Sequence, residues 1–209
     1  MKDIGEFYIG ECEVTQLLWL VVMGKYPDAD FIPNDSNGLG KEYPMYYVSY
    51  KDIVGTSGGV GYNVNGINYY KNGFCYKLSR LVGNGMKFRL PSDMEWEFAA
   101  KGGKLAMDST EYSGSNDLEN VGWYDGNSGN RAQRVKTKQA NILGVYDMSG
   151  NVWEYCSSNS CNGYDEIGLR GGSYLTSANA CSVYYRACGN KNKRSSRDGF
   201  RLACSKNKE

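Results

Sequence analysis

The sequence predicts an α+β fold: a single irregular domain with two or three helices, short mixed or antiparallel strands and long loops. Three observations carry that expectation. The 209 residues are 41% hydrophobic but hold no apolar run near the roughly 18 residues a membrane span needs, which suits one domain over residues 1–209. Glycine fills 27 positions and tyrosine 18 against 4 prolines, a balance that favours turns at positive φ and amphipathic rings over long helices. Helix signals are present, but each is short and soon followed by glycine.

The elements follow in chain order. Phe7 to Gly10 reads as an opening strand, and Thr15 caps a helix over Gln16 to Met23 that Gly24 ends, with Leu17, Leu18, Val21 and Val22 as its expected buried face. Pro27 to Gly40 is polar and reads as a surface loop ahead of Tyr46-Tyr47-Val48-Ser49. Asn65-Gly66, the dipeptide best suited to a type I′ turn, predicts a hairpin over residues 62–69. Phe74, Leu78 and Leu81 recur at i, i+4 and i+7, which predicts a helix ending near Gly83. Ser92-Asp93-Met94-Glu95 is a capping box; Trp96, Phe98 and Ala99 carry that helix toward the core, and Gly102-Gly103 ends it. Polar residues then gather at Asp108, Ser109, Ser113 and Asn116, and Asn127-Ser128-Gly129-Asn130 is a turn-rich loop.

Composition narrows the chemistry. With no histidine, Ser-His-Asp and Cys-His catalysis and every His-ligated metal site are excluded. Seven cysteines (Cys12, Cys75, Cys156, Cys161, Cys181, Cys188 and Cys204) form no C-x-x-C pair, and the odd count leaves at least one free thiol. Cys156, Cys161, Cys181 and Cys188 are disulfide candidates if the chain is exported, their connectivity open. The start lacks an apolar signal core, which leaves an intracellular chain or a processed fragment. The net charge is +1, yet eight cations from Arg186 to Lys208 face only Asp198 and Glu209 in the last residues. That tail lacks interleaved aromatics and reads as solvated surface, so no nucleic-acid partner is expected.

Several segments together resemble a known family. Gly144-Val-Tyr-Asp-Met-Ser-Gly-Asn-Val-Trp-Glu-Tyr155, Arg170-Gly171-Gly172-Ser173-Tyr174 and Gly199-Phe200-Arg201-Leu202 follow Glu13-Val14-Thr15 and Arg89-Leu90-Pro91-Ser92-Asp93-Met94-Glu95-Trp96-Glu97 in the order of the formylglycine-generating enzyme (sulfatase-modifying factor) family. The resemblance covers nearly the whole chain and implies a C-type-lectin-like fold, with residues 62–69 as an insertion. Val145, Met148, Val152, Trp153, Phe200 and Leu202 should then share or border one core. Fold alone does not fix function.

The resemblance also sets tests for chemistry. The enzyme that names the family binds copper(I) with two cysteines five positions apart after the Gly-Gly-Ser motif. Here Cys181 stands at the first position, Arg186 at the second, and Cys188 two residues beyond. On an extended segment such a shift moves a sulfur by about 6–7 Å, so the copper-dependent cysteine oxidase is the alternative reading and a noncatalytic protein the favoured one. The lack of histidine likewise argues against related iron-dependent sulfoxide synthases. Glu95 and Glu97 form a candidate acid/base pair, although the cap explains Glu95. Asn151 and Glu154 match a calcium-binding segment of relatives and are candidate ligands of a structural calcium; against this, Asn151 can anchor a turn and Glu154 can pair with Arg170 or Arg201. No other cofactor is expected. Trp96, Trp123 and Trp153 read as core rather than as a sugar platform.

Residues 174–196 remain, rich in Tyr, Ser, Asn, Gly and Arg, the mix that binding loops use. Lying between two fold-defining motifs, the segment resembles the mutable region of variable proteins from diversity-generating retroelements, which implies a receptor or adhesin displayed on a cell surface or phage particle. Its candidate ligand contacts are Tyr174, Thr176, Ser177, Asn179, Ser182, Tyr184, Tyr185, Asn190, Lys191, Asn192, Arg194 and Ser196, facing a protein or other cell-surface ligand. Val183 and Arg186 should point inward or pair with the scaffold, and strand alternation should keep Tyr184 and Tyr185 from both standing outward unless a bulge or bend intervenes. An accessory domain of a surface assembly is a third reading; oligomeric state is open.

Overall fold

The computed structural model describes residues 1–3, 6–106, 110–157 and 161–205. The expected polar turn at Asp108 and Ser109 and the basic tail at Lys206 and Lys208 lie outside them. Three small sheets and five short helices make up the described chain. Strands β1 (Lys2–Asp3) and β2 (Phe7–Ile9) lead to helix α1 (Gln16–Met23), which Thr15 caps and left-handed Gly24 closes. Loop 27–40 precedes α2 (Tyr50–Val54), the hairpin β3 (Val60–Val64) and β4 (Ile67–Tyr70), and α3 (Phe74–Val82). Next come β5 (Phe88–Arg89), α4 (Asp93–Ala100) and α5 (Leu118–Val121). The last third holds β6 (Trp153–Tyr155), β7 (Glu166–Arg170), β8 (Ala187–Asn190), β9 (Asp198–Gly199) and β10 (Ala203–Ser205). Sheet order is β1-β2-β10-β5 in one sheet and β8-β7-β6-β9 in the other, with only β6 and β9 parallel.

Local chemistry explains these choices. Asn65 and Gly66 both take positive φ (53° and 81°), as a type I′ turn demands, and pair Val64 with Ile67. Ser92 accepts from the Glu95 amide while Glu95 returns to the Ser92 amide at 2.8 Å. A second capping box, Ser49 with Asp52, starts α2, and Asp117 caps α5; these two helices lie beyond the three the sequence pattern showed.

Trp19 stacks on Phe74 with centroids 5.1 Å apart, and Phe200 packs edge-on against both. Trp153 and Leu202 belong to that same core, Val145 and Met148 to the neighbouring cluster around Trp96, and Val152 to a third with Tyr46 and Tyr174. The expected helix faces need correction. On α1 the buried residues are Gln16 and Trp19, with Leu18 and Val22 partly covered, while Leu17 and Val21 face out; on α3 Leu81 is exposed. The Trp19 indole, bonded to the Lys25 carbonyl at 2.9 Å, sets the helix rotation in place of the smaller aliphatics. Trp123 is half-buried rather than core, its indole donating to the Thr137 hydroxyl beneath the Lys138 ammonium. Among the described residues no helix is long and apolar enough to cross a membrane.

Candidate functional site

The signature segment turns inward. Gly150 takes φ of 91°, and a Cβ there would meet the Trp123 carbonyl oxygen at 2.2 Å, so only glycine lets the two backbones touch. Asp147 and Asn151 also adopt left-handed φ, and Asn151 ties the turn down by accepting from the Gln133 amide and donating to Glu13. Glu154 accepts from Arg201 at 2.6 Å on each oxygen and from the Trp96 indole at 2.6 Å. The turn-anchor and Arg201 alternatives for Asn151 and Glu154 therefore describe the geometry; a calcium ion there would have to displace a fully buried guanidinium. Glu13 and Asp147 lie in the same interior. Burial first, then Asp147 beside it, pushes the Glu13 carboxyl well above its usual range, and burial lifts Asp147 to about 6. Burial pulls Arg201 down, but Glu154 and Glu13 hold it above its ordinary value.

A second ion network lies nearer the surface. Arg170 on β7 is wholly buried; its guanidinium meets Glu97 at 2.6 Å and Asp93 at 3.2 Å and donates to the carbonyls of Val183 and Tyr185. Arg186, 45% exposed, reaches the same two carboxylates from outside. Glu95 is turned away to Arg89 at 2.6 Å, so Glu95 and Glu97 do not converge as an acid/base pair. Arginine and lysine partners, working against burial, hold both carboxyls below their usual range.

Arg170 thus clamps a turn over residues 182–185, closed by the Tyr185 amide on the Ser182 carbonyl. The turn is the bend that strand alternation required before Tyr184 and Tyr185 could both stand outward, and they are 43% and 45% exposed. Lys101 sits 4.2 Å above the Tyr184 ring, and Tyr185 leans on Trp153. Val183 is buried and Arg186 pairs with the scaffold, as expected. Ser177, Asn179 and Asn192 are also exposed, with Thr176, Asn190, Lys191, Arg194 and Ser196 half-buried. Two expected contacts are corrected: Tyr174 is wholly buried, its hydroxyl in hydrogen-bond contact with the Asn37 amide oxygen and the Ser196 hydroxyl, and Ser182 is buried with its hydroxyl accepting the Tyr184 amide. Both residues shape the segment from beneath. The sequence reading missed Asp93, Lys101 and Arg170 as supports of the two tyrosines; the acidic first turn of α4 was their only visible signal.

The cysteines are disposed against thiol chemistry. Cys161 and Cys188 form a disulfide, pinning β8 to the chain before β7, while Cys156 and Cys181 are free and buried. Burial lifts the Cys181 thiol to about 11, and Gly172 is tight against it, since a Cβ there would meet its sulfur at 2.7 Å. The position five residues on, Arg186, is held by carboxylates.

Comparison with known proteins agrees with this architecture. The sulfatase-modifying factor enzyme 1-like domain matches residues 2–206. Chaperone protein LppX of Paenibacillus barcinonensis is 31% identical over 97% of this chain and 81% of its own length. The formylglycine-generating enzyme of Thermomonospora curvata is 25% identical over 88% of this chain and 63% of its own. Among solved structures, Treponema denticola variable protein 1 superposes with a TM-score of 0.74 at 29% identity, covering 96% of this chain and 84% of that one. PvdO from Pseudomonas aeruginosa shares the fold, with a TM-score of 0.71 at 20% identity over 95% of this chain and 80% of its own.

Proposed function

The chain belongs to the sulfatase-modifying factor enzyme 1-like family, and within it we propose a noncatalytic binding protein, a retroelement-diversified receptor or adhesin whose ligand surface lies within residues 174–196. One observation carries the noncatalytic half. The two thiols nearest to the copper-binding arrangement are unusable together, Cys181 because it is buried and protonated, Cys188 because Cys161 occupies it. Four supports carry the binding half: the exposed Tyr184 and Tyr185 on a clamped turn, the exposed Ser177, Asn179 and Asn192 of the same segment, a disulfide that suits an extracellular setting, and the likeness to a variable protein. The ligand is a protein or another cell-surface molecule; the similarity to a chaperone, a class that handles other polypeptides, favours a protein.

The retroelement reading is tested at the gene. A reverse transcriptase gene beside a near-copy of the coding sequence for residues 169–202, differing mainly at adenines, supports it. A locus with neither would leave a binder of fixed surface and remove the diversified receptor.

A further inference from the structure

A cleft of about 360 Å³ opens between α1, α2, α3 and the end of the ligand segment. Lys25, Lys51, Lys77 and Arg194 line it beside Asn72 and Asn192. Among the described residues none of the three lysines has a carboxylate within ion-pair distance, and Lys25 and Lys51 are exposed. The one acidic residue in the lining, Asp52, is already committed: one oxygen accepts the Ser49 amide and hydroxyl at 2.8 and 2.6 Å, the other accepts Arg194 at 2.8 Å. Arg194 also keeps a buried Nε hydrogen without an acceptor. Arg194 is paired with Asp52 and lies 3.9 Å from Asp28, so the unpaired cations are the three lysines; charge of one sign in a concavity of ligand size concentrates the field there.

From this we infer that the cleft is an acidic-peptide subsite, taking aspartate or glutamate side chains of a protein partner. The inference rests on the binding reading, because Asn192 and Arg194 belong to the ligand segment, and it adds what the partner must carry. A sugar acid is disfavoured by the floor: Trp19 is wholly buried and stacked on Phe74, so it presents no ring face for a pyranose to cover. Lysine stems along the walls, with their ammonium groups in water, suit flexible carboxylates instead.

The test uses the whole chain and fluorescein-labelled hexaglutamate, read by anisotropy. Hexaglutamate should bind, hexaglutamine should not, and the affinity should fall steeply between about 0.05 and 0.5 M salt. Lys51→Glu with Lys77→Glu should weaken binding by about tenfold or more at unchanged circular dichroism. Lys51→Gln with Lys77→Gln serves if the charge reversal harms folding, with a smaller loss expected. Equal binding of both peptides, or lysine variants within about twofold of the parent, would overturn the subsite. A sulfated oligosaccharide of matched charge that binds tighter than hexaglutamate would overturn the peptide class. Tyr184→Ala with Tyr185→Ala should leave hexaglutamate affinity unchanged, so failure of the tyrosine surface and failure of the cleft give different results; loss in the tyrosine pair alone would place the anion site elsewhere and defeat the assignment.

Discussion

Residues 144–155 and 174–196 draw on similar residue types, tyrosine, serine and asparagine among them, yet spend them in opposite directions. In the first, Asn151 and Glu154 are buried and each polar atom is answered by Glu13, Gln133, Trp96 or Arg201. In the second, the side chains of Ser177, Asn179 and Asn192 make no hydrogen bond among the described residues, and two tyrosines stand in solvent. The difference teaches where tolerance lies. Changing Asn151 or Glu154 orphans a buried charge or amide, whereas changing Ser177, Asn179 or Asn192 removes groups that nothing inside depends on. Such a division is what a scaffold with a replaceable surface requires.

The comparison breaks first, and hardest, at its inner member. Arg201→Met strips Glu154 of its guanidinium and should cost about 3–5 kcal/mol in chemical denaturation. A loss below about 1 kcal/mol would mean the interior is not where the constraint sits.

Next comes the staple on the outer segment. Reducing Cys161–Cys188, or Cys188→Ser, should cost about 2–4 kcal/mol of stability by freeing β8 in the unfolded chain, with β7 and the clamped turn retained. An unchanged melting temperature under reductant would show that the outer segment needs no covalent tie.

A pH profile sharpens the inner region further. Asp147 and Asp198 titrate near 6 in the fold because burial raises them, against about 4 when unfolded, and Glu13 shifts in the same direction. Between about pH 4 and 6 the native state therefore binds more protons than the unfolded state. Their contribution is fully present below about pH 4 and is lost as pH rises through 6. Glu95 and Glu97, held low by arginine and lysine, act oppositely, and their support fails only at lower pH. Melting temperature should thus fall by several degrees, at about 2–4 °C per kcal/mol, from pH 4.5 to 7, and Asp147→Asn should flatten the slope.

The smallest effect belongs to the surface. Tyr184→Ala should change stability by less than about 0.5 kcal/mol, since the side chain is exposed and its ring partner is the Lys101 ammonium at the surface, while weakening a partner by about 2 kcal/mol. Destabilisation without a separate binding loss would erase the contrast.

Much of this was legible in the residues, and the gaps have physical causes. The capping box at Ser92, the Asn65-Gly66 turn and the Thr15 cap are local rules, and they hold because each is satisfied within four residues of chain. Helix faces were less legible: Leu17, Val21 and Leu81 match an apolar stripe, but Trp19 and Phe74 set the rotation through contacts from distant segments. Tyr174 looked like a ligand contact and is buried because Asn37, 137 positions away in sequence, accepts its hydroxyl. The outward pair at Tyr184 and Tyr185 depended on Arg170, whose reach to the carbonyls of Val183 and Tyr185 leaves no trace in local pattern. The cleft cations come from the end of α1, from α2, α3 and the C-terminal segment, too scattered to read as one patch.

The central claim, a family scaffold turned from cysteine oxidation to binding, is tested most directly by incubating the protein with copper(I), oxygen and a sulfatase-derived cysteine peptide and assaying aldehyde. No aldehyde above the protein-free blank is expected, with Cys181 buried and Cys188 bonded to Cys161. Turnover that disappears in Cys181→Ser would contradict it.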